Sequence, residues 1–167
     1  KTIPVGKQVG VIMVLEAGHE YQVATFRAEA DYTDGRRPGS VRFTDAREDA
    51  LRRDFTVNGL FYDPLTDELH DWVGGLADLE AKCIRTIGDA TERFGEDRLR
   101  MLRAVRFAAQ LGFEIEPMTF VAVREHASAI AEVSAERIRD ELLKIFRPPH
   151  AARGLDLLRE SGLLAEV

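Results

Sequence analysis

Cysteine is almost absent from this chain: Cys83 is the single one in 167 residues. No internal disulfide can form, and no thiol pair is available for a zinc site. A lone thiol of this kind reads as a small buried residue, and the expected location is the cytoplasm. Lysine is scarce as well. Lys1, Lys7, Lys82 and Lys144 are the four lysines among 23 basic residues. The arginine bias suits bidentate contacts to phosphate and equally fits a GC-rich genome. No apolar run approaches the length of a membrane span. No basic-plus-apolar leader opens the chain. It starts at Lys1 rather than Met and enters a strand-like run almost at once, so it reads as a fragment of a longer protein.

What is present is an ordinary globular composition, 45% hydrophobic and 31% charged, enough for one domain or two small ones. The net charge of -6 does not advertise nucleic-acid binding. Its distribution says more. Residues 36–53 carry Arg36, Arg37, Arg42, Arg47, Arg52 and Arg53 against Asp45, Glu48 and Asp49. Residues 93–106 carry five arginines against Glu96 and Asp97. An acidic protein can bind a polyanion through such local basic surfaces.

The hydrophobic pattern divides the chain into an α+β front and an all-helical back. Val9–Leu15 reads as a buried strand and His19–Arg27 as its antiparallel partner across Glu16-Ala17-Gly18. Residues 28–51 are polar and read as loop. Phe55–Tyr62 reads as a strand or strand-helix edge, and Leu69–Val73 as a returning strand. Gly74-Gly75 marks the change. Helices are expected over Asp78–Lys82, Glu96–Leu111 with Gly112 at its end, and Pro117–Ala131. A further helix opens at Ser134 and runs to Phe146, and a last one covers about Ala151–Ser161.

Two segments carry the chemistry. Arg52-Arg53-Asp54-Phe55-Thr56-Val57-Asn58 sets Arg, Asp and Asn around an apolar run. Glu96-Asp97-Arg98-Leu99-Arg100-Met101-Leu102-Arg103-Ala104-Val105-Arg106 follows. On a helical wheel Met101, Leu102, Val105, Ala108 and Ala109 form one face. Glu96, Arg100 and Arg103 lie opposite, flanked by Asp97 and Arg106. Either cluster alone would read as solvated charge with weak i,i+4 pairs. Together they suit an anionic ligand that also has hydrogen-bonding edges, such as a nucleoside triphosphate. His19, His70, His126 and His150 show no ligand spacing. Phe55, Phe61 and Phe107 read as core rather than as base-stacking platforms, and Trp72 as a packing residue.

These segments resemble the motifs of the class II tRNA nucleotidyltransferase and bacterial poly(A) polymerase family. Val23–Arg27 and Asp34-Gly35-Arg36-Arg37-Pro38 are similar to its strand and flexible loop. Residues 52–58 are similar to its sugar and triphosphate motif, and Asp71–Leu79 to its hinge. Residues 96–113 are similar to its base-recognition motif, and 134–146 to its neck-stabilising motif. Five motifs in order are far more specific than any one.

The resemblance implies a partial nucleotidyltransferase head over 1–73, with an antiparallel or mixed sheet of the polymerase-beta-like palm type. A helical neck over 74–150 and the start of a helical body over 151–167 would follow. It implies template-independent nucleotidyl transfer to an RNA 3′ end, most naturally CCA addition to tRNA from CTP and ATP. Poly(A) synthesis, or a non-catalytic nucleotide- or RNA-binding relative, is the alternative. Asp54 would approach the ribose, with Arg53 and Asn58 at the sugar and triphosphate. Arg103 and Arg106 would face phosphate or shape the base pocket. Asp97 and Arg100 would read the base, with Arg52 and Glu96 in support and Asp34, Arg36 and Arg37 in the flexible loop. The catalytic Asp-x-Asp that holds Mg²⁺ would precede Lys1, so this stretch alone would bind nucleotide weakly and not catalyse. Gln22 stands where many relatives carry an acidic residue, and Arg98 where many carry Pro.

Overall fold

The computed structural model describes residues 1–6, 10–32 and 38–167. Strands β1 (Thr2–Gly6), β2 (Val11–Glu16) and β3 (His19–Ala24) form an antiparallel sheet in that order. Gln22 sits on β3 opposite Met13. The polar stretch expected to be loop is in fact structured. β4 (Arg27–Tyr32) pairs with β5 (Pro38–Phe43), and α1 (Ala46–Leu51) follows. Arg-Ala-Glu-Ala-Asp-Tyr does alternate, but through two small alanines among charged residues, a weak strand signal. Helix α1 starts where Asp45 accepts the Glu48 N–H, a side-chain cap. The expected flexible-loop residues Asp34, Arg36 and Arg37, and Val9 of the expected first strand, lie outside the described residues.

The segment over 55–62, read as a strand or strand-helix edge, opens with a helical turn and becomes a strand at Leu60. Asp54 accepts the Phe55 N–H and the Asn58 amide, and the Asn58 N–H bonds Phe55 O. That local set winds Thr56–Asn58 into a 3₁₀ turn. Strand β6 (Leu60–Asp63) then pairs with β7 (Glu68–Asp71). Aromatic contacts bind the hairpins together. Phe61 meets Phe26 edge-on at 5.4 Å, and Trp72 stacks on His70 at 5.1 Å. Trp72 is thus the packing residue it was expected to be.

At the end of β7, Asp71 accepts the backbone N–H groups of Val73, Gly74, Gly75 and Leu76. Burial alone would raise its carboxyl, but these four donors hold it below the usual range. The bonds launch α2 (Gly75–Glu80), three residues ahead of the expected start at Asp78. Gly75 is required there, because a Cβ would lie 2.3 Å from Thr56 O.

The back half is not wholly helical. β8 (Cys83–Ile84) and β9 (Glu114–Ile115) pair in parallel. Thr56 N–H also bonds Arg85 O, and Ile87 N–H bonds Asp54 O. The pairs are too short to show a period in sequence. The expected helix over 96–111 is likewise two helices, α3 (Ala90–Glu96) and α4 (Leu99–Leu111). Asp97 is extended between them, and its carboxylate accepts the Leu99 N–H. Asp competes for backbone donors and so favours helix starts over interiors. Gly112 closes α4 in the left-handed conformation. Helix α5 (Pro117–His126) continues as a 3₁₀ segment, and α6 (Ala135–Ile145) and α7 (Ala151–Glu160) complete the chain. Ser134 precedes α6 as expected, though its hydroxyl makes no capping bond.

Helix α4 runs through the centre of this half. Met101, Leu102, Ala104, Val105 and Ala108 are fully buried against Phe55, Ile84, Phe94, Ile130, Ile145 and Leu158. Each large apolar side chain so buried contributes about 1.5–3 kcal/mol. The interior is therefore what fixes the direction in which α4's polar face points.

Candidate nucleotide-binding site

The site begins with a buried acid. Asp49, 2% exposed, accepts the Arg27 N–H and both Arg52 and Arg53. Burial would push its carboxyl up, but the Arg27 N–H and the two guanidinium groups together hold it low. Asp49 thus aligns the two arginines along one wall. Arg53 also donates to Asn58 O at 2.8 Å and lies 4.5 Å over the Phe61 ring. Asp54, 8% exposed, follows. One of its oxygens takes Phe55 N–H and the Asn58 amide, and the other meets Arg103.

The facing wall is the start of α4. Arg100 is buried, and its Nη1 donates to Arg93 O and to Glu96. Its Nη2 reaches Arg52 O at 3.4 Å. Asp97 is held through its other oxygen by Arg137 of α6 at 2.8 Å. One turn on, Arg103 lies 5.3 Å over the Phe107 ring, which meets Phe55 edge-on at 5.8 Å.

Between the walls lies a cleft of about 440 Å³, lined by Arg52, Arg53, Asp54, Asn58, Asp97, Arg100, Arg103 and Phe107. The structure therefore brings together most of the residues singled out in the sequence. Arg106 stands apart. Its Nε lies 2.7 Å from Glu141, a buried acid of α6, and its guanidinium covers the back of Phe107 at 4.1 Å. It supports the wall from behind, because the step of three residues from Arg103 carries it round the helix. Glu96 closes α3 and borders an adjoining cleft with Arg42, Arg52 and Arg93. Phe107, read as core, packs against the core and also forms part of the lining. Asp49, Arg93 and Arg137 went unnoticed in the sequence. The i,i+3 and i,i+4 spacing of Asp49 to Arg52 and Arg53 was the one available signal.

Chemically the cleft presents guanidinium donors beside carboxylate acceptors, with Asp49 and Glu96 neutralising the arginines from behind. Phosphate would meet the donors and a base edge the mixed pair. Among the described residues no three His, Cys, Asp or Glu side chains could together hold a metal ion.

A family model described as "Poly A polymerase head domain" matches residues 1–85. The chain belongs to that family. In this poly A polymerase head-domain protein, residues 112–167 also match the model of a "Probable RNA and SrmB- binding site of polymerase A". Over 95% of its length the chain is 46% identical to the CCA-adding enzyme of Streptococcus mutans. Over its whole length it is 45% identical to that of Bacillus licheniformis. These alignments span 39% and 42% of the two relatives, so the chain covers about two fifths of their length. The crystal structure of the Bacillus stearothermophilus CCA-adding enzyme in complex with CTP superposes on 98% of the chain with a TM-score of 0.87 at 42% identity, covering 39% of that protein. A tRNA nucleotidyltransferase complexed with a primer tRNA and an incoming ATP analog superposes on 99% with a TM-score of 0.84 at 27% identity, covering 46% of that protein.

Proposed function

We propose that this chain is the nucleotide-selecting part of a template-independent nucleotidyltransferase that builds CCA on tRNA 3′ ends from CTP and ATP. The observation that carries the reading is the pairing of one acceptor, Asp97, with one donor, Arg100, at the edge of an arginine-lined cleft. Its likeness to CCA-adding enzymes over nearly the whole chain supports it. The proposed division is a head over 1–73, a neck over 74–150 and the start of a body over 151–167.

The selection follows from hydrogen-bond chemistry. A carboxylate only accepts and a guanidinium only donates. Cytosine offers an amino donor beside the N3 acceptor, and adenine an amino donor beside N1. Both satisfy the pair. Uracil and guanine reverse the pattern and leave buried groups unpaired, which is how a site rejects a near-isostere. The triphosphate would lie along Arg52, Arg53 and Arg103, and the ribose beside Asp54 and Asn58. A protein surface thus does the work of a template.

Nucleotidyl transfer of this class is metal-assisted, and we assign Mg²⁺ to the natural enzyme. The cleft carboxylates do not fit that ion: Asp54 is engaged by Arg103 and Asn58, and Asp97 by Arg137. No step is assigned to the ion through these residues. No helix of the described residues is long and apolar enough to cross a membrane, and we place the enzyme in the cytoplasm with tRNA as its partner. The deciding experiment incubates the natural protein with tRNA lacking its 3′ end, CTP and ATP, and sequences the product. CCA supports the proposal. A run of adenylate alone would instead make it a poly(A) polymerase, and no extension would make it a binding module.

A further inference from the structure

Arg103 is held from two sides, and one of its nitrogens is left over. Nε and Nη2 both donate to a single oxygen of Asp54 at 2.7 Å. The other Asp54 oxygen is taken by the Phe55 N–H and the Asn58 amide. Among the described residues no protein acceptor takes Nη1 of Arg103. A guanidinium forked onto both oxygens of a carboxylate has its plane fixed. Two bonds that converge on one oxygen fix its distance and leave the plane free to tilt about that atom. The second support is the Phe107 ring, which lies 5.3 Å beneath the guanidinium.

We infer that Phe107 is a positioning residue for phosphate binding, fixing the plane of Arg103 so that Nη1 is left for the nucleotide. The inference rests on Arg103 meeting phosphate, as the proposed function has it. Phe107 follows Arg103 by one helical turn on α4, which places the two side chains together. An aromatic face attracts the cation laid over it, where an aliphatic side chain of like size only fills space.

The ring is itself held. Phe55, fully buried, meets it edge-on at 5.8 Å, and it packs against the core that surrounds α4. Arg106 lays a second guanidinium over it at 4.1 Å. Phe107 is also the only apolar side chain lining the cleft. It stands where the packed interior meets the charged wall, and it carries the rigidity of the one to the other. Arg103, 32% exposed, would otherwise rest on Asp54 alone.

The test is a double-mutant cycle in the natural protein: Phe107→Leu, Arg103→Ala and the two combined. The readouts are the dissociation constants of CTP and cytidine, and kcat/KM for CTP against UTP on tRNA lacking its 3′ end, with thermal melts in parallel. F107L should weaken CTP roughly three- to tenfold. It should leave cytidine, which has no phosphate, and the preference for CTP over UTP unchanged. In the R103A background the same change should have little further effect. F107Y, which keeps the ring, should retain most of the CTP affinity. Should F107L lose its cooperative melt, F107M, which fills the space without a ring, decides. An equal loss in both backgrounds makes Phe107 independent of Arg103 and overturns the inference, as does a matching loss for cytidine. Unchanged CTP affinity in F107L alongside its loss in R103A overturns it and leaves the phosphate role of Arg103 intact. Unchanged affinity in R103A removes that role, and the inference with it.

Discussion

Arg103 and Asp54 meet across the cleft: Nε and Nη2 of the arginine both lie 2.7 Å from one oxygen of the carboxylate. The contact fastens α4 to the turn at 54–58. It also holds Asp54 where the Asn58 amide can reach its second oxygen. Arg103→Ala should cost about 1–3 kcal/mol, since it leaves a buried acceptor without its donor while Arg103 itself is partly solvated. It should weaken nucleotide binding further by removing a phosphate donor. Urea unfolding and CTP titration of the same variant separate the two effects. Unaltered values in both would remove the contact from any role.

Base choice should be lost from either side of the reading pair. Asp97→Ala or Arg100→Ala should admit UTP and GTP, with discrimination falling by about 1–3 kcal/mol. Incorporation assays with the four nucleotides measure it. Loss of CTP and ATP use with no gain for the other two would mean that these residues only hold the fold.

Gly75→Ala should be severely destabilising. The new methyl would press on the carbonyl of Thr56 and on Leu60, at 2.3 and 3.0 Å. Backbone cannot give way as a flexible side chain does, so a loss of about 1–3 kcal/mol is expected, the range for overpacking. A thermal melt near that of the natural sequence would show that the turn at 56–58 can shift.

Acid should loosen the junction between β7 and α2. The Asp71 carboxyl is held below its ordinary range by four backbone donors despite partial burial. Its folded value is depressed, so its contribution is fully present above the ordinary carboxylate range near pH 4. That contribution is lost as pH falls through the lower, folded value. Asp71→Asn should therefore flatten the decline in melting temperature between about pH 5 and pH 2. A profile parallel to that of the natural sequence would assign acid sensitivity to other groups, of which Asp49 and Glu116 are also held low.

Glu141→Ala should act on stability rather than on nucleotide. It takes the acid from the partly buried Arg106 guanidinium, which keeps Gln110, so the cost should fall below the about 3–5 kcal/mol of a fully buried broken pair. Affinity for CTP, measured well below the melt, should stay within a few-fold. A large selective loss of affinity would return Arg106 to the pocket that its sequence position suggested.

The site was more legible in the sequence than the fold around it. Arg52, Arg53, Asp54 and Asn58 are close neighbours whose residue types state their chemistry. Arg100 and Arg103 were placed by the wheel, because the apolar residues opposite them fix the helix rotation. Arg106 shows where that reasoning runs out. A buried acid 35 positions away decides its direction, and no local pattern announces Glu141. The hairpin over 27–43 and the break at Asp97 were missed for a related reason. Alternation carried by small alanines, and a single capping carboxylate, leave too weak a hydrophobic signal to read.

Because α4 carries Arg100 and Arg103 towards the cleft and Met101, Val105 and Ala108 towards the core, its interior acts, under the proposed function, as the seat of an instrument. Any reshaping of that seat tilts the residues proposed to inspect the incoming base. On that proposal, fidelity is open to adjustment from the oily side of the helix, by changes that never come within reach of a nucleotide. Selection experiments for altered tails should recover such hidden positions alongside the visible ones.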